Sequence, residues 1–321
     1  MLLKVENLSS YFFLDEGVLK AVDDVSFYMD EEETVALVGE SGCGKTIAAL
    51  SLINLIPSPG RVVQGRIFFN GEDLLSVSAE KLRKVRGGKI GMIFQEPGVA
   101  LNPVFTIGYQ IVEVLQLHRG LDKHEAEAEA VRLLGETGIP DPEKRVKAYP
   151  FELSGGMQQR ALIAIAISSS PRLLIADEPT TALDVTIQKE IVDLLRRLQK
   201  LYKMAILLIT HDMGVVAEMA TRVMVMYTGK IIEEASKEEL FEEPKHPYTK
   251  GLLRSIPRLG AGHKEPLRGI PGAVPDFLSL PTGCTFHPRC EYSEGFCFKK
   301  FPPLKDITYT RKCACYKHYR I

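Results

Sequence analysis

Short, unbroken apolar runs alternate with mixed helical stretches over the first 235 residues. "TVALVG" (34–39) is apolar up to a closing glycine, which predicts a buried strand entering a turn. "RLLIAD" (172–177) and "MAILLIT" (204–210) have the same texture. The stretch between them, "VTIQKEIVDLLRRLQKLY" (185–202), is helical in its spacing, so these two strands are predicted to pair in parallel through a helical crossover. Residues 2–8 and 18–28 alternate or cluster their apolar positions as short strands do. "GRIFFNGEDLL" predicts a strand and a turn at Asn70–Gly71. "KIGMIFQEP" (89–97) is a strand ending at Gln95 and broken by Pro97. Helices are predicted over 46–56, within 106–138 and over 154–170, and a hairpin over 222–235 around Thr228–Gly229. From about residue 244 proline and glycine crowd the chain ("PKHPYTKGLLRSIPRLG", "EPLRGIPGAVPDFLSLPTG", "FPPL"), and few regular elements are expected. The expectation is an α/β fold with a parallel-sheet core over residues 1–240, followed by a small irregular extension over 241–321.

Composition adds two asymmetries. Residues 1–235 carry 25 basic and 32 acidic side chains, residues 236–321 carry 15 and 9. A basic tail suits an acidic partner, a membrane surface or nucleic acid, or is a solvated face. Five of the six cysteines lie in the last 38 residues. The 45% apolar and 25% charged residues are ordinary for a soluble globular protein. No apolar stretch reaches the roughly 18 residues of a membrane span, and "MLLKVENLSSYF" has none of the features of a secretory signal. A cytoplasmic chain is expected, and disulfides are not.

The chemistry begins where the strand 34–39 ends. "GESGCGKT" fits the spacing G-x-x-x-x-G-K-[ST] at Gly39, Gly44, Lys45 and Thr46. Glycines let such a loop curl so that its N–H groups, at Ser41, Gly42, Cys43, Gly44 and on into the helix at Ile47, face a phosphate. Lys45 is expected to reach the β- and γ-phosphates and Thr46 to hold Mg²⁺. The strand in "LLIADEPT" delivers Asp177 to its carboxyl end, where the carboxylate would hold Mg²⁺, and Glu178 follows, placed to polarise an attacking water. "LSGGMQQR" (153–160) reads as a second helix start with bare N–H groups, again suited to phosphate.

In this order the motifs over residues 2–235 resemble those of the ATP-binding subunit of an ABC transporter. That resemblance implies an ABC-type P-loop ATPase: a parallel-sheet core, an antiparallel β region and a helical insertion at about 97–170. It also implies that two ATPase domains pack head to tail, each nucleotide lying between the phosphate loop of one chain and Ser154, Gly155 and Gly156 of the other. Met157 stands where the family commonly has glutamine, and Gln158 follows at once. By the same resemblance Tyr11 would stack on adenine. Gln95 would sense Mg²⁺ and the attacking water, Asp184 in "TALD" would cross the dimer interface, and His211 would bind the γ-phosphate and orient water. The implied catalytic set is Glu178, His211, Gln95 and Lys45.

"HPYTKGLL", "IPG" and "GCTFHPRC" resemble the C-terminal extension of dipeptide and oligopeptide importer ATPases, a group that includes nickel and some sugar importers. The implied partners are a second ATPase subunit, identical or related, two permease subunits and, indirectly, an external peptide-binding protein, at the cytoplasmic face of the membrane. No nucleic acid is expected. A soluble ABC ATPase of DNA repair or translation is the rival from another class, disfavoured by a single ATPase set and no heptad tract. Cys284, Cys290, Cys297 and Cys315 are spaced C-x5-C-x6-C-x17-C. Four thiolates suit a [4Fe–4S] cluster or structural zinc, free reduced cysteines are the third reading, and the absence of tight C-x2–4-C pairs favours the cluster. Cys313 competes for the fourth place, which the resembled "AC" dipeptide gives to Cys315.

Overall fold

The computed structural model describes residues 1–255 and 269–318, so part of the Pro- and Gly-rich stretch read from the sequence (256–268) lies outside the described residues. The chain divides into two compact units. One comprises Met1–Tyr28, Val35–Leu75 and Thr210–Ile321; the other comprises Met29–Thr34 and Ser76–Ile209.

The first unit opens with β1 (Leu3–Leu14) and β2 (Gly17–Met29), then β3 (Thr34–Val38), α1 (Lys45–Leu52), β4 (Gly60–Phe69) and β5 (Glu72–Asp73). Strands β2, β1, β4 and β5 lie side by side in that order, with β1 antiparallel to β4 and β4 to β5. In β3 every residue is buried, which explains its unbroken apolar run: a strand covered on both faces needs no polar alternation.

The second unit holds α2 (Ala79–Val85), β6 (Ile90–Ile93), α3 (Pro97–Ala100), α4 (Ile107–Arg119), α5 (Lys123–Glu136), α6 (Pro142–Arg145), α7 (Gly155–Ile167), β7 (Leu173–Asp177), α8 (Val185–Tyr202) and β8 (Ala205–Thr210). Strands β6, β7 and β8 pair in parallel, so the crossover expected through 185–202 is present. Helices α3 to α7 fill the segment between β6 and β7. Helix α5 begins at a reciprocal cap in which Asp122 accepts from the Glu125 N–H and Glu125 accepts from the Asp122 N–H. Helix α8 buries Ile191, Val192, Leu194, Leu195 and Leu198 along one stripe.

The chain then returns to the first unit with α9 (Met213–Met219), β9 (Arg222–Tyr227), β10 (Lys230–Ser236), α10 (Lys237–Glu242), α11 (Pro247–Arg254), β11 (Lys305–Asp306) and β12 (Lys312–Cys313). β9 runs parallel to β3 and turns back as the predicted hairpin with β10. The late strand β12 adds to the other side of β10, and β11 adds to β12. The extension also shares a core with these strands: Tyr248, Cys284, Phe286 and Ala314 are buried together with Val38, Val225 and Tyr227. The rings of Tyr227, Tyr248 and Phe286 form a triangle with centroids 4.6–5.4 Å apart. Among the described residues no helix is long and apolar enough to cross a membrane.

Candidate active site

In the first unit, β3 delivers the chain to the loop 39–46, and two glycines there have steric reasons. A Cβ on Gly39 would stand 2.3 Å from the Met226 carbonyl oxygen and 2.8 Å from Cys43 Sγ. Gly44 has φ +106°, and its Cβ would stand 2.1 Å from the Ala21 carbonyl oxygen. Gly44 is also the N-cap of α1 and makes no side-chain cap, which leaves the first N–H groups of that helix to other acceptors. Lys45 is buried, and its Nζ donates to the carbonyls of Gly39 (2.8 Å) and Glu40 (3.0 Å). The lysine is thereby drawn across the mouth of its own loop. Ser41 and Gly42 are exposed, and Thr46 and Ile47 are partly buried on the first turn of α1. Cys43 is fully buried, and burial pushes its thiol above the ordinary range, so only its backbone is available to an anion.

Tyr11 lies on β1 with its hydroxyl donating to Asp23 Oδ1 (2.7 Å) and Lys20 Nζ 5.4 Å from its ring centroid. Burial, then the Asp23 carboxylate, push its phenol up to about 12. Phe12 packs over Gly60, and Phe13 receives the Arg61 guanidinium at 4.4 Å. Among the three aromatic rings Tyr11 is the one fixed by a polar anchor. His211 follows β8, is exposed, and immediately precedes Asp212, the N-cap of α9.

In the second unit, β7 ends at Asp177, which is 1% exposed, and Glu178 follows at 8% with φ +48°. Glu178 Oε2 accepts from Gln95 Nε2 (3.0 Å) and from Thr181 Oγ1 (2.8 Å). Two donors on one oxygen orient the carboxylate. Thr181 was missed in the sequence as a partner of Glu178, although it stands three places after it in "DEPTT"; only the fold shows its hydroxyl reaching back. Asp184 is the N-cap of α8, its Oδ1 accepting from the Thr186 and Ile187 N–H groups at 3.1 Å each.

The signature stretch forms the start of α7. Ser154 is its N-cap, with Oγ accepting from the Met157 N–H at 3.4 Å. A Cβ on Gly155 would meet nothing within 4 Å, so the helix start is open on that side, while Gly156 is backed by Ile187. Gln158 does not replace the glutamine missing at 157. Its Nε2 donates to the carbonyls of Pro150 (2.9 Å) and Leu153 (3.3 Å), turning the side chain back on the preceding loop.

The cysteine expectation is corrected. Among the described residues no group of three or more His, Cys, Asp or Glu is placed to hold a metal ion, so neither the [4Fe–4S] cluster nor zinc at Cys284, Cys290, Cys297 and Cys315 is upheld. The four line a cavity of about 370 Å³ together with Phe286, Tyr292 and Phe296. Ligation requires thiolates converging on one ion, at about 2.3 Å for zinc. Burial pushes the Cys284 thiol up to about 12 and raises those of Cys290 and Cys315. Cys284, Cys290 and Cys297 pack instead with the apolar core of the extension, and all six cysteines are free of disulfides. Cys313 is fully buried on β12.

Comparison with known proteins agrees with this arrangement. Residues 22–181 match the ABC transporter family, and residues 232–297 match the C-terminal region of oligopeptide/dipeptide transporters. The chain is 45% identical over 318 residues to the dipeptide transport ATP-binding protein DppD of Escherichia coli, covering 99% of this chain and 96% of that one. It is 47% identical over 331 residues to a putative peptide import ATP-binding protein of Brucella abortus, covering 100% and 98%. Among solved structures, the dimeric post-hydrolysis ATP-binding cassette MJ0796 bound to ADP and Pi superposes with a TM-score of 0.67 at 26% identity, covering 74% of this chain and 99% of that one. The cassette cbiO1 of Clostridium perfringens gives 0.63 at 29% identity, covering 75% and 91%. A phosphate loop, an acid pair after a buried strand and an open signature helix, together with near full-length identity to such subunits, lead to one conclusion: the chain belongs to the ABC transporter family of ATPases and carries the C-terminal region of its oligopeptide and dipeptide branch.

Proposed function

We propose that the chain is the ATP-hydrolysing subunit of an importer of dipeptides or oligopeptides, with residues 1–240 as the ATPase domain and 241–321 as its extension. The observation that carries this reading is Glu178, held through one oxygen by Gln95 and Thr181 at the end of a buried strand. The full-length likeness to dipeptide and peptide import ATP-binding proteins supports the choice of substrate class.

In this reading the loop N–H groups from Gly39 to Ile47 and the Lys45 ammonium bind the phosphates of ATP, and Tyr11 stacks on the adenine. Lys45 exchanges its two carbonyl partners for phosphate oxygens. Thr46 Oγ1, the Asp177 carboxylate and the Gln95 amide oxygen are hard oxygen donors of the kind Mg²⁺ takes. The Gln95 Nε2 is committed to Glu178, which leaves its Oε1 for the metal. Mg²⁺, when bound, neutralises charge on the phosphate oxygens. Glu178 accepts a proton from the attacking water, and His211 orients that water and the γ-phosphate. Ser154, Gly155 and Gly156 bind the γ-phosphate held by a second ATPase subunit, a copy of this chain or a related one, so ATP joins the two head to tail and hydrolysis releases them. The opening and closing drive two permease subunits through the helical segment 97–170, with the chain held peripherally at the cytoplasmic face of the membrane.

Glu178→Gln tests the base. The amide preserves the size and one acceptor oxygen but takes no proton. ATP turnover is expected to fall at least about 100-fold while ATP affinity stays within a few-fold. Turnover at the wild-type rate would refute the assignment.

A further inference from the structure

Glu40, the second residue of the phosphate loop, is gripped by the extension. Its backbone N–H donates to Tyr248 Oη at 2.8 Å. Its carboxylate receives a two-pronged contact from Arg289, Nη1 to Oε2 at 2.7 Å and Nη2 to Oε1 at 2.9 Å. Arg289 is itself built in: its side chain is 4% exposed, Nε donates to the Pro271 carbonyl at 2.8 Å, and Nη1 reaches Tyr227 Oη at 3.4 Å. Its guanidinium lies 5.9 Å from the centroids of both Tyr227 and Phe286. The carbonyl of the same Glu40 accepts from Lys45 Nζ. One residue of the loop is therefore shared by the phosphate-binding lysine and by two side chains from more than 200 positions further along the chain.

A carboxylate in a loop that binds polyphosphate is an electrostatic liability, since it repels the ligand. A paired, desolvated arginine removes that repulsion and, being bidentate, also fixes the loop backbone. Removing one member of such a pair leaves the other charge uncompensated. We propose that Arg289 and Tyr248 are positioning residues for nucleotide binding: the extension clasps Glu40, neutralises its carboxylate and holds the phosphate loop in the shape that receives ATP. This rests on the reading of residues 39–46 as the phosphate loop.

The test is calorimetric titration of the full-length chain with MgATP. Arg289→Met is expected to raise the ATP Kd at least five-fold, and adding Glu40→Gln is expected to return it to within two-fold of wild type. A merely structural role for Arg289 offers no reason for relief by the second change. An Arg289→Met Kd within two-fold of wild type, or a double variant as weak as the single, overturns the clasp. Tyr248→Phe, which removes the acceptor for the Glu40 N–H, is expected to shift Kd in the same direction. Should Arg289→Met not be recovered folded, Arg289→Lys decides: a Kd raised two-fold or more and relieved by Glu40→Gln supports the clasp, and a Kd unchanged or unrelieved overturns it. Lys45→Ala separates the two readings. If it binds ATP normally, the phosphate-loop assignment itself falls; if it abolishes binding while Arg289→Met has no effect, only the clasp falls.

Discussion

His246 is 2% exposed at the N-cap of α11, where its Nδ1 accepts from the Tyr248 N–H. Burial, then the neighbouring His318, depress its pKa to about 3, against a weaker opposing effect of the Ala314 backbone. The unfolded chain therefore takes up a proton near pH 6.5 that the folded chain refuses. Stability from this group is full above that pH and is lost as the pH falls towards 3. Between pH 7 and 5 the loss is about 2 kcal/mol. Urea unfolding at both pH values checks this: His246→Gln is expected to show a smaller drop than wild type, whatever its stability at pH 7. Equal drops would mean that the imidazole is protonated in the fold. A histidine in "HPY" carries no sign of this in the sequence, because its state depends on what packs around it.

Among the elements, α8 starts from a cap at Asp184, the residue that the family resemblance places at a dimer interface. Asp184 joins two N–H groups at the helix start, and Asp184→Ala is expected to cost about 1 kcal/mol of stability, with Asn largely sparing it. Thermal melts of the three proteins decide this, and equal melting temperatures for Ala and Asp would remove the cap from the account of α8. This helix and the strands on either side were legible in the sequence for physical reasons, while the cap at Asp184 was not read there. β7 is apolar up to its closing Asp177 and β8 up to its closing Thr210 because both faces are covered, and α8 carries its apolar stripe at helical period. β11 and β12 were not legible. Two-residue strands reading "KD" and "KC" have no pattern of their own, and β12 exists because β10 offers it an edge. The phosphate loop and acid pair were legible because their spacing is local. The contacts of Glu40 with Arg289 span 249 positions and leave no periodic trace. The cysteine spacing misled for the same reason: separation along the chain does not report whether thiols sit at ligating geometry or merely line a cavity beside an apolar core.

At the scale of the whole molecule, neither the phosphate loop nor the signature helix completes a nucleotide site within its own chain in the proposed mechanism. The openness of Gly155 and the exposure of Ser154 suit a surface that meets a ligand from outside. ATP then acts as the adhesive, bound from both sides, and Glu178→Gln preserves that state by blocking its hydrolysis. The most direct measurement is the mass of the Glu178→Gln chain by gel filtration with light scattering. Without nucleotide it is expected at the 35.7 kDa of a single chain, and with saturating MgATP at twice that, with Ser154→Arg abolishing the shift. A mass that stays at one chain in saturating MgATP, or a dimer indifferent to nucleotide and to Ser154→Arg, would contradict nucleotide sharing between two copies of this chain.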